Sequence, residues 1–316
     1  MKMKVSVVMT YYNGSRFVKE LLDSLAEQYE AFNELVIMDD CSQALESQYL
    51  NDVVEKSSIK EKVRYIYNKK NLGYAGNFLR GMNEAKGDLL FLCDQDDIWD
   101  KHKISLMTEI MEHHLELNLL CCDIKPIYSD EDAPRWDSKN LKEMLDDNSL
   151  EYCSDIKRNH HLRRSGCTMC VRKNFFTSNA EYWVEGWAHD DFLWKLAVYS
   201  KSCAIYHNVL HLRRLHTSNT SELKVRTRAW RIDELQQMLN QHKSLEKMIE
   251  QLPDAKEPNK IVKHNEDALL KRIDFLKSKN PFSWLVILLK YFDTYPRGWK
   301  GALMDVYLAY VGTHKS

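Results

Sequence analysis

No stretch of the 316 residues reaches the roughly 18 consecutive apolar positions that a membrane span needs. Excess charge of either sign is also missing. With 45 Lys and Arg against 46 Asp and Glu, the net charge is −1, which gives no electrostatic case for nucleic acid. The eight cysteines include no two CxxC pairs of the kind that hold zinc. Cys121 and Cys122 are adjacent, and Cys93, Cys167 and Cys170 lie in or beside apolar runs. They read as buried, reduced thiols of a cytoplasmic protein. Met1-Lys2-Met3-Lys4 ahead of Val5-Ser6-Val7-Val8-Met9 has the charge order of a leader. The apolar segment is too short for one and lacks a small-residue cleavage site, so it reads as a first buried strand. No repeat or low-complexity tract interrupts the chain.

What is present is an unusual strand ending. Leu89-Leu90-Phe91-Leu92-Cys93 is a short apolar run, and Asp94-Gln95-Asp96-Asp97-Ile98-Trp99 follows it at once. Carboxylates crowded at a buried strand end repel one another unless a cation sits among them. An oxygen-rich site of this kind suits Mg2+ or Mn2+, which also take phosphate oxygens as ligands.

The first hundred residues alternate strand and helix. Strands are expected at 4–9, 34–38, 63–67 and 88–93, and helices at 17–25, 45–56 and 77–85. Ser15 is placed to cap the first helix, and residues 71–76 form a loop. This alternation implies an α/β fold with a mostly parallel sheet flanked by helices, and in such sheets ligands bind at the carboxyl ends of the strands. Thr10-Tyr11-Tyr12-Asn13, Asp39-Asp40 and Asp94-Gln95-Asp96-Asp97 all fall on that rim. Later segments read as a helix over 101–116, an apolar return over 117–127, a loop-rich insertion with a short helix over 129–154, a strand over 167–171 and a helix over 190–199. Beyond residue 226 the pattern turns helical, with helices over 233–252 and 261–278 and a linker marked by Pro253 and Pro258. The domains expected are therefore 1–225, carrying the site, and 226–316, a helical extension.

Four segments carry a family likeness: Val5-Ser6-Val7-Val8-Met9-Thr10-Tyr11-Tyr12-Asn13-Gly14, Leu35-Val36-Ile37-Met38-Asp39-Asp40-Cys41-Ser42, Asn71-Leu72-Gly73-Tyr74-Ala75-Gly76-Asn77 and Gly87-Asp88 through Asp97. In this order and spacing they resemble the family-2 glycosyltransferases of the GT-A fold. The form Asp94-Gln95-Asp96-Asp97-Ile98-Trp99 is most like bacterial rhamnosyltransferase-type members, which build surface polysaccharides such as capsule. The resemblance implies a nucleoside-diphosphate-sugar donor, UDP- or dTDP-linked, and a glycan or lipid-linked acceptor. Thr10, Tyr11, Asn13 and Asp39 would hold the nucleobase and ribose, with Asn71 and Gly76 passing close to the donor. Asp94-Gln95-Asp96 matches the family's metal motif. Asp96 would reach the cation, Asp94 would contact ribose or the metal's water shell, and Asp97 could take either duty or cap the next helix.

Two further matches lie downstream. Trp187-Ala188-His189-Asp190-Asp191-Phe192 fits the helix start that carries the base of inverting members; Asp190 matches the usual position and Asp191 is the alternative. Leu212-Arg213-Arg214-Leu215-His216-Thr217-Ser218-Asn219 resembles an Arg-x-His-x-x-Asn loop. There His216 would complete the metal shell and Arg214 would neutralise diphosphate, with Arg213 as its substitute; the imidazole favours Mn2+ over Mg2+. The apolar tail over 281–312, with Lys290, Arg297 and Lys300 nearby, fits either peripheral contact with the inner face of the cell membrane or a homo-oligomer interface. Two other classes compete: a sugar-nucleotide-binding scaffold without catalysis, which the three carboxylates Asp94, Asp96 and Asp190 argue against, and a nucleotidyltransferase, which would want a glycine-rich basic loop after the first strand.

Overall fold

The computed structural model describes residues 2–28, 31–136, 144–217 and 225–315. The chain divides into two compact units. The first comprises residues 1–155, 162–180 and 188–217, and the second 156–161, 181–187 and 218–316. Two short stretches inside the expected 1–225 domain thus pack with the helical unit.

In the first unit the strands are β1 (Val5–Tyr11), β2 (Glu34–Asp39), β3 (Val63–Tyr67), β4 (Leu89–Cys93), β5 (Ile98–Trp99), β6 (Leu119–Tyr128), β7 (Leu150–Tyr152), β8 (Met169–Arg172) and β9 (Cys203–Leu215). Among the described residues they form one nine-stranded sheet in the order β3-β2-β1-β4-β8-β6-β9-β5, with β7 also on β9. Helices α1 (Val18–Ala26), α2 (Ala44–Glu55), α3 (Gly73–Glu84) and α4 (Lys103–His113) follow successive strands in this unit.

The β3-β2-β1-β4 half is parallel, as alternating strands and helices require. The other half is mixed: β8 runs antiparallel to both β4 and β6, and β9 runs parallel to β6. Two reversals cancel, so β9 points the same way as β4. Its carboxyl end, with the residues that follow, therefore reaches the same rim as the ends of β1, β2 and β4. The short β5 pairs Ile98 with Leu212, which sets the acidic loop after β4 beside residues 213–216.

Several local expectations change. Ser15 does not cap α1; its hydroxyl donates to Glu46 Oε1 at 3.0 Å, and Phe17 occupies the cap position. Helix α3 starts at Gly73 rather than at residue 77, so Gly76 lies in its first turn and not in a loop. No helix occurs in the described part of 129–154, and residues 137–143 lie outside the described residues. Seven of the eight cysteines are buried and free, while Cys41 is free and exposed.

The second unit holds the short helix α5 (Ile156–Asn159), and the first unit continues with α6 (Lys173–Asn179) and α7 (His189–Tyr199). The second unit is completed by β10 (Val225–Thr227), α8 (Arg228–Ile249), α9 (Lys256–Ser278), α10 (Pro281–Lys290), α11 (Trp299–Tyr310) and β11 (Thr313–Lys315). Pro258 sits in the first turn of α9 rather than in a linker, where its missing N–H costs no intrahelical bond. Its core includes Leu235, Leu239, Phe275, Leu276, Ile287, Ala302 and Leu308. No helix of the described residues is long and apolar enough to cross a membrane.

Candidate active site

The rim is tied together loop to loop. After β1, Asn13 adopts a left-handed backbone with φ 48°, and its Oδ1 accepts from the Gln43 N–H at 2.9 Å. Its own N–H donates to Ser42 Oγ at 3.1 Å. Gln95 binds the same loop from the other side: its Oε1 accepts from Tyr12 N at 2.8 Å, and its Nε2 donates to Tyr12 O at 3.1 Å. Gly14 permits this, since a Cβ there would lie 2.3 Å from Gln95 Oε1. Gln95 thus holds the β1 loop in place.

Thr10 is half-buried at the end of β1. Tyr11 departs from expectation. Its ring is buried in the core with Val5, Val7 and Met9, and its hydroxyl donates to Glu46 O at 3.0 Å. It offers no face for a base to stack on; exposed rings on this rim include Tyr12, Tyr67 and Tyr74. Asp39 is 1% exposed, with Oδ1 accepting from Ser42 N at 2.8 Å and Oδ2 from Ser47 Oγ at 2.5 Å. Each oxygen keeps a lone pair for another donor. Asp40 is also enclosed, accepting from Asn68 Nδ2 at 2.7 Å and Leu72 N at 2.8 Å. Asn71 donates to Asp40 O at 3.2 Å and accepts from Gly73 N at 2.9 Å, so it fastens the start of α3 to β2.

The acidic loop separates into distinct environments. Asp96 Oδ2 lies 2.9 Å from His216 Nε2, and Phe17 packs on the imidazole with centroids 5.0 Å apart. The residues expected to share a cation are therefore neighbours. Burial raises the Asp96 carboxyl above its ordinary range, while the His216 bond pulls the other way. Burial, then Asp97 and Asp96, push Asp94 well above its ordinary range. Such a carboxyl pair is stabilised as anions only by added positive charge, which fits a divalent cation and its oxygen-and-imidazole preferences.

Asp97 has a different fate. It is 2% exposed, its Oδ2 accepts from His211 Nε2 at 2.7 Å, and its Oδ1 accepts from the Arg214 N–H at 2.8 Å. Burial pushes its carboxyl up, but these donors outweigh it and hold the group below its ordinary value. On the far side of the imidazole, Lys103 Nζ donates to His211 Nδ1 at 3.0 Å and to Cys167 O at 2.7 Å, lying 3.6 Å from the Trp99 ring centre. Burial and then Lys103 lower His211 to about 4, so it is neutral with its proton on Nε2. Asp97, Cys167 and His211 lie close enough to ligate a metal. The Lys103 ammonium already supplies the positive charge there, which makes this a structural network. Asp97 does not cap the next helix, whose cap position is held by His102.

The adjacent arginines divide similarly. Arg214 donates to Asp96 O at 2.8 Å, Ser129 Oγ at 2.9 Å and Glu20 Oε2 at 2.7 Å, and stacks on Phe17. It is 8% exposed and engaged on all sides, so it does not face a donor as expected. Arg213 is half-buried, and its charge acts on Asp94, Asp97 and Asp96. Its positive charge therefore lies in the field of the acidic cluster. Asn219 lies outside the described residues.

The start of α7 contributes the next acid. Asp190 Oδ2 accepts from Gly166 N at 3.3 Å and Oδ1 from Asp191 N at 2.9 Å. Its charge contributes to the raised pKa of Asp94, which puts the two carboxyls in one electrostatic field. Asp191 instead pairs with Lys195 at 2.5 Å. His189, the neighbour expected to tune Asp190, is 5% exposed and stacks on Phe78 with centroids 4.1 Å apart. Gly166 makes room for it: a Cβ would lie 2.3 Å from His189 Nε2.

A mixed sheet with a carboxylate pair at one strand end and a helix-borne acid in the same electrostatic field fits the GT-A class of α/β fold. The family model for glycosyl transferase family 2 matches residues 6–178, and the chain belongs to that family. An uncharacterized glycosyltransferase of Nostoc sp. is 28% identical over 123 residues, 36% of this chain and 37% of that protein. The poly(ribitol-phosphate) beta-N-acetylglucosaminyltransferase TarS of Staphylococcus aureus is 31% identical over 122 residues, 37% of this chain and 21% of that protein. The chain thus matches well under half the length of these curated relatives. Among solved structures, TarS 1–349 with UDP-GlcNAc superposes with a TM-score of 0.62 at 18% identity, covering 97% of this chain and 81% of that one. The Pyrobaculum calidifontis mannosyltransferase PcManGT, with GDP-Man and Mn2+, gives 0.59 at 15% identity, covering 98% and 87%.

Proposed function

We propose that this chain is an inverting, metal-dependent glycosyltransferase of bacterial surface polysaccharide synthesis. It moves a sugar from a UDP- or dTDP-linked donor, a hexose or rhamnose, to a glycan or lipid-linked acceptor. The observation that carries this reading is the pairing of Asp96 with His216 on one side and Asp190 in the field of Asp94 on the other. The structural neighbours differ in nucleotide, UDP-GlcNAc in one and GDP-Man in the other, so the fold leaves the donor to the loops. Asp39, with its free lone pairs, suits the N3–H of a pyrimidine, and Tyr12, beside it on the rim, is an exposed ring suited to stacking.

Asp96 and His216, with Asp94 beside them, would hold Mn2+ or Mg2+. When bound, such an ion supplies Lewis-acid stabilisation of the leaving diphosphate. Arg213 adds a fixed positive charge toward the same group. Asp190 accepts the proton of the acceptor hydroxyl, the oxygen bonds to the anomeric carbon from the face opposite the diphosphate, and the bond to the diphosphate breaks. One displacement inverts the centre. NMR of the product's anomeric configuration tests this. An inverted linkage is expected, with Asp190→Asn lowering turnover roughly a hundredfold or more while donor affinity is kept. A retained configuration, or near-normal turnover of the variant, contradicts it.

A further inference from the structure

Helices α10 and α11 are apolar on the outside as well as the inside. Ile287 of α10 and Ala302, Leu308 and Ala309 of α11 fill the core of the second unit. Phe282, Leu285, Val286 and Leu289 form a second stripe on α10, at i, i+3, i+4 and i+7, that faces solvent; Phe282 and Leu289 are each 76% exposed. Trp299, Leu303, Tyr307 and Tyr310 form another on α11, all at least 41% exposed. A monomeric soluble protein rarely leaves so much aromatic and aliphatic surface uncovered.

Unpaired cations flank this surface. Arg297 and Lys300, exposed in the turn before α11 and in its first turn, and Lys290 at the end of α10, have no acidic partner among the described residues. The nearby acids are engaged. Asp293 pairs with Lys157 and His264, Asp305 is buried between Arg231 and Arg272, and Glu234 pairs with Arg231. Asp274 accepts from the Ser283 hydroxyl. Arg226, Arg297 and Lys300 also line a cavity of about 700 Å³ together with Trp230, Leu303 and Tyr307. Within the same unit, the buried Nε of Arg226 has no hydrogen-bond partner among the described residues.

We infer that the outer faces of α10 and α11, with the Arg226–Arg297–Lys300 pocket, bind the surface of an anionic phospholipid bilayer. Apolar side chains with interfacial Trp and Tyr enter the acyl boundary, and the cations take lipid phosphates. Asp293 and Asp305, the acids of this segment, are held by cations, and Asp274 takes only a hydroxyl, so positive charge prevails at this face. The inference concerns the helical unit and does not depend on the sugar transferred.

Co-sedimentation of the full chain with vesicles tests it apart from any activity. The chain should pellet with phosphatidylglycerol–phosphatidylcholine vesicles and not with phosphatidylcholine alone, and added salt should weaken the binding. Arg297→Glu with Lys300→Glu should cut the vesicle affinity roughly tenfold or more. Phe282→Ser with Leu289→Ser should also lower it, whereas Leu115→Ser, an exposed apolar site in the first unit, should not. Circular dichroism confirms that each variant is folded. The inference is overturned if the wild type ignores anionic vesicles or if both double variants bind as it does. It is equally overturned if sedimentation velocity shows a dimer that these same changes dissolve, since a second copy would then cover the face.

Discussion

Arg213 and Arg214 are adjacent in sequence and differ in everything else. Arg214 spends its donors on Asp96 O, Ser129 and Glu20, whereas the charge of Arg213 lies in the field of the Asp94–Asp96 cluster. Arg213→Ala should therefore lower turnover with little change in melting temperature. Arg214→Ala should destabilise the fold by about 1–3 kcal/mol, the scale for leaving buried hydrogen-bond partners unmet, because its charged partner Glu20 is largely exposed. Thermal melts and initial rates on both variants separate the two roles, and equal effects would refute the division. Gly166 gives a second prediction. A methyl there would collide with the His189 ring, which carries the start of α7 and Asp190 with it. Gly166→Ala should slow transfer more than it weakens donor binding, read as a fall in kcat larger than any rise in donor KM.

At the scale of elements, the parallel half of the sheet was plain in the sequence, because apolar runs ending in polar clusters alternate with helical spacing through residue 93. The same period of two also carried the information that Tyr11 is a core residue: it shares the parity of Val5, Val7 and Met9. Reading it as a loop residue lost that signal. Strand β9 was invisible for a different reason. His207, His211 and Arg214 interrupt its apolar pattern, and they are buried because partners distant in the chain hydrogen-bond them, Asp123 for His207, Asp97 for His211, and Asp96 O, Ser129 and Glu20 for the Arg214 guanidinium. Periodicity cannot report partners that are distant in the chain. The identity of Asp96 and His216 as neighbours was legible from motifs, while the network behind them was not.

That network predicts a pH dependence. The folded pKa of His211, about 4, lies below the unfolded value, so between about 4 and the ordinary histidine value the unfolded chain binds more protons. Its contribution to stability is complete above that window and is lost as the pH falls through it. His211→Gln, which does not titrate, should flatten the decline in melting temperature over this window, even if the variant is less stable at neutral pH. An unchanged slope would show that His211 is not the group responsible.

At the scale of the whole molecule, two compact units divide the work proposed here: one gathers the donor-binding rim and the base, and the other presents an apolar and basic surface. The central claim is that the carboxylates after β4 and His216 make sugar-nucleotide chemistry depend on a divalent ion. The most direct measurement is release of nucleoside diphosphate from a panel of dTDP-rhamnose, UDP-glucose, UDP-galactose and GDP-mannose, with Mn2+ and with chelator, by the wild type and by Asp96→Ala. The account predicts release from a pyrimidine donor that needs the ion and falls with chelator, and that drops at least about a hundredfold in Asp96→Ala. Release that is equal with and without the ion, or undiminished in Asp96→Ala, would contradict it.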